Sequence, residues 1–274
     1  MAVKDILVHL DGSERSRTRL EIAIRLAVRH QARLTGMFAR VEHSSPSVVA
    51  RKASEWLQRM ADEAEAQFNT LTGTAGIEVR WRALPFGEYN YVIREMIISA
   101  RYCDFVILGQ TDPDDPDDNL PEELPEQVVL HSGRPVLMIP YVGAFPTLGQ
   151  NAIVAWNAER EAVRALNDGL FLLADAAKVT VFTITGSGNS PNMDDVPKLD
   201  ITDHLTCHGI KASVDHISLG DGNYMDLILS RAADISADLL VMGAHGHYEF
   251  PYLYRGAGTR YILRHMTLPV LMSH

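Results

Sequence analysis

The chain is poor in cysteine, with only Cys103 and Cys207, far apart in sequence. No metal-ligand spacing involves them, and they imply no disulfide framework. A reducing cytoplasm is the expected setting. Long apolar runs are also missing. None approaches the roughly 20 residues a membrane helix needs. The N-terminus enters a strand-like stretch at once, Ile6 to Leu10, with no long apolar leader and no small-residue cleavage site. Positive charge is scarce, 25 Lys and Arg against 35 Asp and Glu, a formal net charge of -10. That balance argues against nucleic acid or an anionic membrane as a main partner, because both need a basic face. The chain has no G-x-S-x-G elbow and no metalloprotease helix motif. Ser13 beside Asp11 reads as a helix cap rather than part of a triad. No catalytic residue and no metal site are therefore assigned.

What remains is an ordinary globular composition, 46% hydrophobic and 22% charged. Its 274 residues suffice for one large or two medium domains. The decisive feature is an internal repeat. Tyr102 to Gly109 matches Ser236 to Gly243 at an offset of 134, and Pro135 to Met138 matches Pro269 to Met272 at the same offset. Ile6 to Asp11 matches Ala152 to Asn157 at 146, and Gly87 and Asn90 match Gly220 and Asn223 at 133. The join falls near Tyr141 to Gln150, where Gly143, Pro146 and Gly149 give linker composition. The expected domains are 1–146 and 147–274.

Each copy alternates strand and helix. The first copy reads as strands at Asp5–Leu10, Arg33–Val41, Ile77–Ala83, Phe105–Leu108 and Pro135–Ile139. A helix face carries Leu20, Ile24, Ala27 and Val28, and further helices are expected at Ser47–Leu71 and Tyr89–Arg101. The second copy reads as strands at Ala152–Trp156, Val179–Ile184, Ala212–Ser218, Leu239–Met242 and Val270–Met272. Its helices fall at Ala158–Ala174, Val196–His208, Tyr224–Ile235 and Thr259–His265. Alternating elements imply right-handed crossovers and a parallel sheet covered on both faces. The expected fold class is α/β, as two doubly wound, Rossmann-like domains of five strands each. Ligands of such sheets bind beyond the strand C-termini where strand order reverses.

The stretch Leu239 to Thr259 fits such a place. A buried strand runs into Gly243, Gly246 and Gly256, and a helix start follows at Gly258 and Thr259. Glycine admits close backbone approach to an anion, and the helix N-terminus favours negative charge. In the first copy the run Gln110 to Gln127 reads instead as a loop. It has no further glycine, carries Asp112, Asp114, Asp115, Asp117, Asp118, Glu122, Glu123 and Glu126, and contains Pro113, Pro116, Pro121 and Pro125. Acidic and poor in N–H donors, it repels phosphate; it is either a solvated loop or a docking surface for a basic partner or divalent cations.

These residues resemble the universal stress protein family in its tandem form, whose domains have an adenine-nucleotide-α-hydrolase-like fold. The family's nucleotide-binding members carry G-x2-G-x9-G followed by Ser or Thr, a helix and a Pro-Val-Leu strand. Here the match is Gly243-x2-Gly246-x9-Gly256, then Ala257, a helix and Pro269-Val270-Leu271. Asp11-Gly12-Ser13-Glu14 resembles the family's first-strand turn. The resemblance implies strand order 3-2-1-4-5 and assembly through the last strand of each domain. In a tandem chain that pairing can be internal, a pseudo-dimer, and a homodimer is open as well. It implies a stress-response protein binding ATP or another adenine nucleotide, with or without Mg, through Ala155, Asn157, Ile184, Met242, Gly243, Gly246, Gly256, Ala257, Gly258 and Thr259. Ala155 and Ile184 are carried over as lining for the adenine, and Asn157 for the ribose. Ala257 and Asn157 depart from the family's hydroxyl and acidic residues. The alternatives are an interaction or scaffold module without nucleotide, and a slow ATPase. Efficient turnover is not expected, because no acid near His245 or His247 in sequence orients either ring. His204 and His208 share a helix face and, with His216 or Asp203 nearby, could form a metal site, with an ordinary surface helix as the default reading. Arg255 and Arg260 either meet phosphate or balance the acidic chain.

Overall fold

The computed structural model describes residues 2–42, 52–112, 120–185, 200–218, 223–246 and 256–274. The first half comprises β1 (Asp5–Leu10), α1 (Glu14–His30), β2 (Arg33–Phe38), α2 (Glu55–Thr72), β3 (Val79–Ala83), α3 (Tyr89–Ala100), β4 (Phe105–Gly109), α4 (Leu124–Ser132) and β5 (Val136–Ile139). The second comprises β6 (Asn151–Trp156), α5 (Arg160–Leu173), β7 (Lys178–Thr185), α6 (Ile201–Cys207), β8 (Ala212–Ser218), α7 (Tyr224–Asp234), β9 (Leu239–Gly243), α8 (Ala257–His265) and β10 (Val270–Ser273). Polar side chains set several helix starts. Ser13 Oγ accepts from Ser16 N–H at 3.3 Å, Ser54 Oγ from Leu57 N–H at 3.1 Å, and Asn223 Oδ1 from Met225 N–H at 3.0 Å. Among the described residues no helix is long and apolar enough to cross a membrane.

All ten strands form one sheet in the order β3-β2-β1-β4-β5-β10-β9-β6-β7-β8. Each half is parallel within itself and has the expected 3-2-1-4-5 order. The halves meet through β5 and β10, which run antiparallel with Val270 opposite Met138, Leu271 opposite Leu137, and Met272 opposite Val136. Successive strand residues point to opposite faces, so both faces carry a core that spans the junction. Ile6, Val8, Ile107, Leu137, Val154, Val241 and Leu271 belong to one, and Leu7, Val106, Met138, Ile153, Leu240, Met242 and Met272 to the other. The sheet ends in unlike edges: β3 exposes Arg80 and Arg82, and β8 carries Asp215 and His216.

Four expectations need correction. The strand expected to Val41 ends at Phe38. The helix expected over Ser47–Leu71 runs from Glu55, behind the Ser54 cap, and residues 47–51 lie outside the described residues. The helix expected over Val196–His208 is Ile201–Cys207, capped by Asp200, and 196–199 lie outside the described residues. The run read as a loop to Gln127 already holds the first turn of α4. Pro125 sits in that turn, where its missing N–H costs no intrahelical bond.

The first half holds a buried ion pair. Asp11, at the end of β1, lies 6% exposed among Arg19, Ser13 and Ser16. Arg19 also donates from Nε to His9 O at 3.2 Å, and its side chain fills the space where a Cβ on Gly109 would stand. Burial alone would raise the Asp11 carboxyl; the Arg19 guanidinium, the neighbouring His9 and the hydroxyls of Ser13 and Ser16 overcome it and hold the group well below the usual carboxylate range. His9 is fully buried, and its Nε2–H donates to Ala39 O at 2.8 Å. Burial pushes its pKa down to about 4, with Arg19 adding to the effect and Asp11 opposing it.

Between the unfolded His value of 6.5 and about 4, the unfolded chain binds a proton the folded chain refuses. Stability therefore falls as pH drops through that window, by on the order of 3 kcal/mol from this residue. Asp11 adds a further loss below its unfolded value of 3.8, where the folded carboxylate resists protonation. Urea midpoints of the wild type should decline steeply from pH 6.5 to 4, and His9→Gln should flatten that slope. An equally steep decline in the variant would show that the loss originates elsewhere.

Candidate functional site

In the second half, strand order reverses between β6 and β9, from which the chain leaves toward opposite ends of the sheet. A cleft opens beyond the C-termini of these two strands. Ala155 and Asn157 enter it from β6, Met242 and Gly243 from β9, Tyr224, Met225 and Ile228 from α7, and His245, Gly246, Gly256, Gly258 and Thr259 from the loop and the start of α8. Ala257 is the first residue of α8, between two lining glycines. Most of the residues singled out in the sequence thus converge on one place. Ile184 ends near it in β7, paired with Ile217 across the ladder, and its side chain lies outside the described residues. Arg255, His247 and Glu249 also lie outside them.

The glycines have different physical reasons. A Cβ on Gly243 would stand 2.5 Å from Glu161 C and 2.6 Å from Ala162 N. Gly243 therefore serves the packing of β9 against the first turn of α5, not approach to an anion. Gly246 is open, its nearest neighbour being Glu161 Oε2 at 3.9 Å from a built Cβ. Gly256 is left-handed, with φ 85°, and a Cβ there would strike the His245 ring. Gly258 faces Met225, whose Cε would lie 2.6 Å from a Cβ. The enclosed free volume is only about 30 Å³, well below the hundreds of cubic ångströms of ordinary ligand sites. Met225 lines the cleft beside Gly258, and its thioether is a flexible side chain.

Polar groups already have internal uses. His245 adopts φ 56° and donates its N–H to Thr259 Oγ1 at 2.8 Å, so the hydroxyl retained near the helix start ties the loop to α8. Asn157 is exposed, and its Oδ1 accepts from Glu159 N–H at 3.1 Å, a local cap. Glu161 is 5% exposed and lies 3.6 Å from Arg160. His245 Nε2 lies 3.0 Å from Glu126 Oε1, and the same oxygen accepts from Arg260 Nη1 at 2.8 Å.

The sequence reading found no acid near His245 in sequence, and this carboxylate comes from elsewhere. Glu126 comes from α4 of the other half, far away in sequence, and the pairing of β5 with β10 brings it in. A signal was available in the repeat: at the offset of 134, Glu126 stands where the second copy has Arg260. Arg19 was missed likewise. It stands where the second copy has Ala165, at the offset of 146, on a buried helix face. Arg19 pairs with Asp11, and its guanidinium stands where a Cβ on Gly109 would be. The His204 and His208 rings stack edge-on at 4.9 Å, and His216 Nδ1 meets Thr183 Oγ1 at 2.5 Å. Among the described residues no group of three or more ligating side chains gathers.

Comparison with known proteins agrees with this architecture. The universal stress protein family model matches residues 2–140 and again 150–274. A universal stress protein from Archaeoglobus fulgidus DSM 4304 superposes with a TM-score of 0.72 at 18% identity, covering 98% of this chain and 96% of that one. A putative universal stress protein from Pseudomonas aeruginosa UCBPP-PA14 gives 0.62 at 18% identity, covering 99% and 93%. No curated protein sequence matches. Two family matches in succession, on two halves with one strand order, mean that the chain belongs to the universal stress protein family as a tandem of two such units.

Proposed function

We propose that the protein is a cytoplasmic stress-response protein that binds an adenine nucleotide, ATP, in its second unit. The units are 1–146 and 147–274, and their internal pairing is the assembly that carries the site. One observation carries the reading: a glycine loop and a helix start meet at the point where strand order reverses between β6 and β9, where open α/β sheets hold their ligands. Ala155, Met242 and Ile228 supply an apolar wall for the base. Gly246 leaves room for phosphate, and the free amides at the start of α8 point charge-stabilising dipoles at it. Asn157 stands beside the ribose position. Ala257 supplies an amide but no hydroxyl. Met225 swings aside to admit the base.

Glu161 would repel a bare phosphate. It fits a magnesium ion carried by the nucleotide, since Mg²⁺ is held by one or two carboxylates together with phosphate oxygens. The ion would supply neutralisation of charge there. Gly246→Asp places a second carboxylate in the phosphate path without touching the packing that Gly243 serves. It should abolish ATP binding in isothermal titration while leaving the thermal midpoint within a few degrees of the parent. Undiminished binding in this variant would place the phosphates elsewhere.

A slow ATPase is the second reading, favoured by the Glu126 carboxylate that stands 3.0 Å from the His245 ring at the loop. Oriented amides hold ground-state and transition-state phosphates nearly alike, and give affinity more than rate. Nothing described provides the cationic finger that stabilises charge on a leaving phosphoryl group in fast enzymes, because Arg260 is held by Glu126. Phosphate release with Mg²⁺ present should therefore stay below about 1 per second, the low end of ordinary turnover. Faster release that disappears in His245→Ala would make the protein an ATPase.

A further inference from the structure

Leu137 and Leu271 are the same position of the two copies, and they face each other in the ladder. The halves are thus related by a pseudo-twofold axis through this pair. Glu126 and Arg260 are likewise equivalent, and their helices α4 and α8 lie side by side. In a symmetric dimer, residues near the axis meet their own copies. Here divergence has set a carboxylate against a guanidinium, 2.8 Å apart. The carboxylate is largely shielded, with a side-chain exposure of 13%. It also reaches His245, whose backbone N–H is tied to Thr259 in the first turn of α8. Arg260 Nη1 lies 3.1 Å from where a Cβ on Gly256 would stand, so its charge sits at the N-terminal end of that helix.

We propose that Glu126 is a specificity-determining residue of the second unit's site, supplied by the first unit. This role rests on the nucleotide reading above. The negative charge of Glu126 offsets Arg260 and the helix dipole, and so restrains affinity in proportion to the number of phosphates. Adenosine is indifferent to it, a monophosphate feels it weakly, and a triphosphate feels it most. The first unit thereby acts on the ligand of its neighbour.

The test is isothermal titration of adenosine, AMP and ATP into the full chain, for the wild type, Glu126→Gln and Glu122→Gln. Glutamine keeps an acceptor for Arg260 and removes the charge. Glu122 pairs with Arg264 at 2.7 Å further along the same helix, and is a control for charge loss at the same interface. Glu126→Gln should bind ATP about tenfold tighter, AMP about threefold tighter and adenosine within about twofold of the wild type, with ATP binding more sensitive to added salt. Glu122→Gln should match the wild type. Arg260→Gln, a second variant in case the first folds poorly, should weaken ATP binding and spare adenosine. Equal gains for adenosine and ATP, or an equal gain in Glu122→Gln, would overturn the proposal and leave nucleotide binding intact. If no ligand binds any of the proteins, the nucleotide reading fails and the proposal falls with it.

Discussion

The antiparallel ladder between β5 and β10 is the constraint on which the rest depends. Each half alone would end in an exposed, largely apolar strand, Val136–Ile139 or Val270–Ser273. Such an edge is a template for unwanted pairing. Joining the two satisfies both rows of backbone groups and merges the cores on both faces. It also sets α4 against α8. From that placement follow the contacts of Gln110, whose Nε2–H₂ donates to Leu263 O at 2.9 Å and Arg264 O at 3.2 Å and closes the last turn of α8. The helix whose first turn lines the cleft is therefore braced at its other end by the other half.

Within the glycine motif, regular spacing conceals unlike causes. Gly243 is fixed by helix packing, Gly256 by a left-handed backbone beside the His245 ring, and Gly246 by neither. Only the open glycine owes its place to a ligand in the proposed function. A pattern shared across a family can thus be maintained by folding at one position and by binding at the next.

The fold was legible because each signal was local or repeated. Apolar runs marked the strands, and the 134-residue offset aligned β4 with β9 and β5 with β10 without any long-range information. Residues such as Ala155, Met242 and Gly246 were legible because they lie at or just beyond strand ends, and the sheet gathers strand ends. What escaped were partners across the junction. Glu126 looked like one more member of an acidic loop, because a charge run does not say which member turns inward. Arg19 looked like one basic residue of an arginine-rich helix. Its burial is decided by Asp11 and by the small Gly109, which are neighbours only after β1 and β4 pair. The start of α4 was missed because prolines were read as loop formers, although the first helical turn tolerates them.

The unlike edges of the sheet have a consequence for assembly. Since β5 and β10 consume each other, only β3 and β8 remain at the ends, and they are different surfaces. Edge-to-edge growth joining β3 of one molecule to β8 of the next would be heterologous and need never close, the geometry of a filament. The arginines of β3 lie on the strand where such growth would begin, and burying them against another chain would cost solvation. Covalent duplication has thus paired the apolar edges with each other and left two unlike ends, one of them carrying arginines.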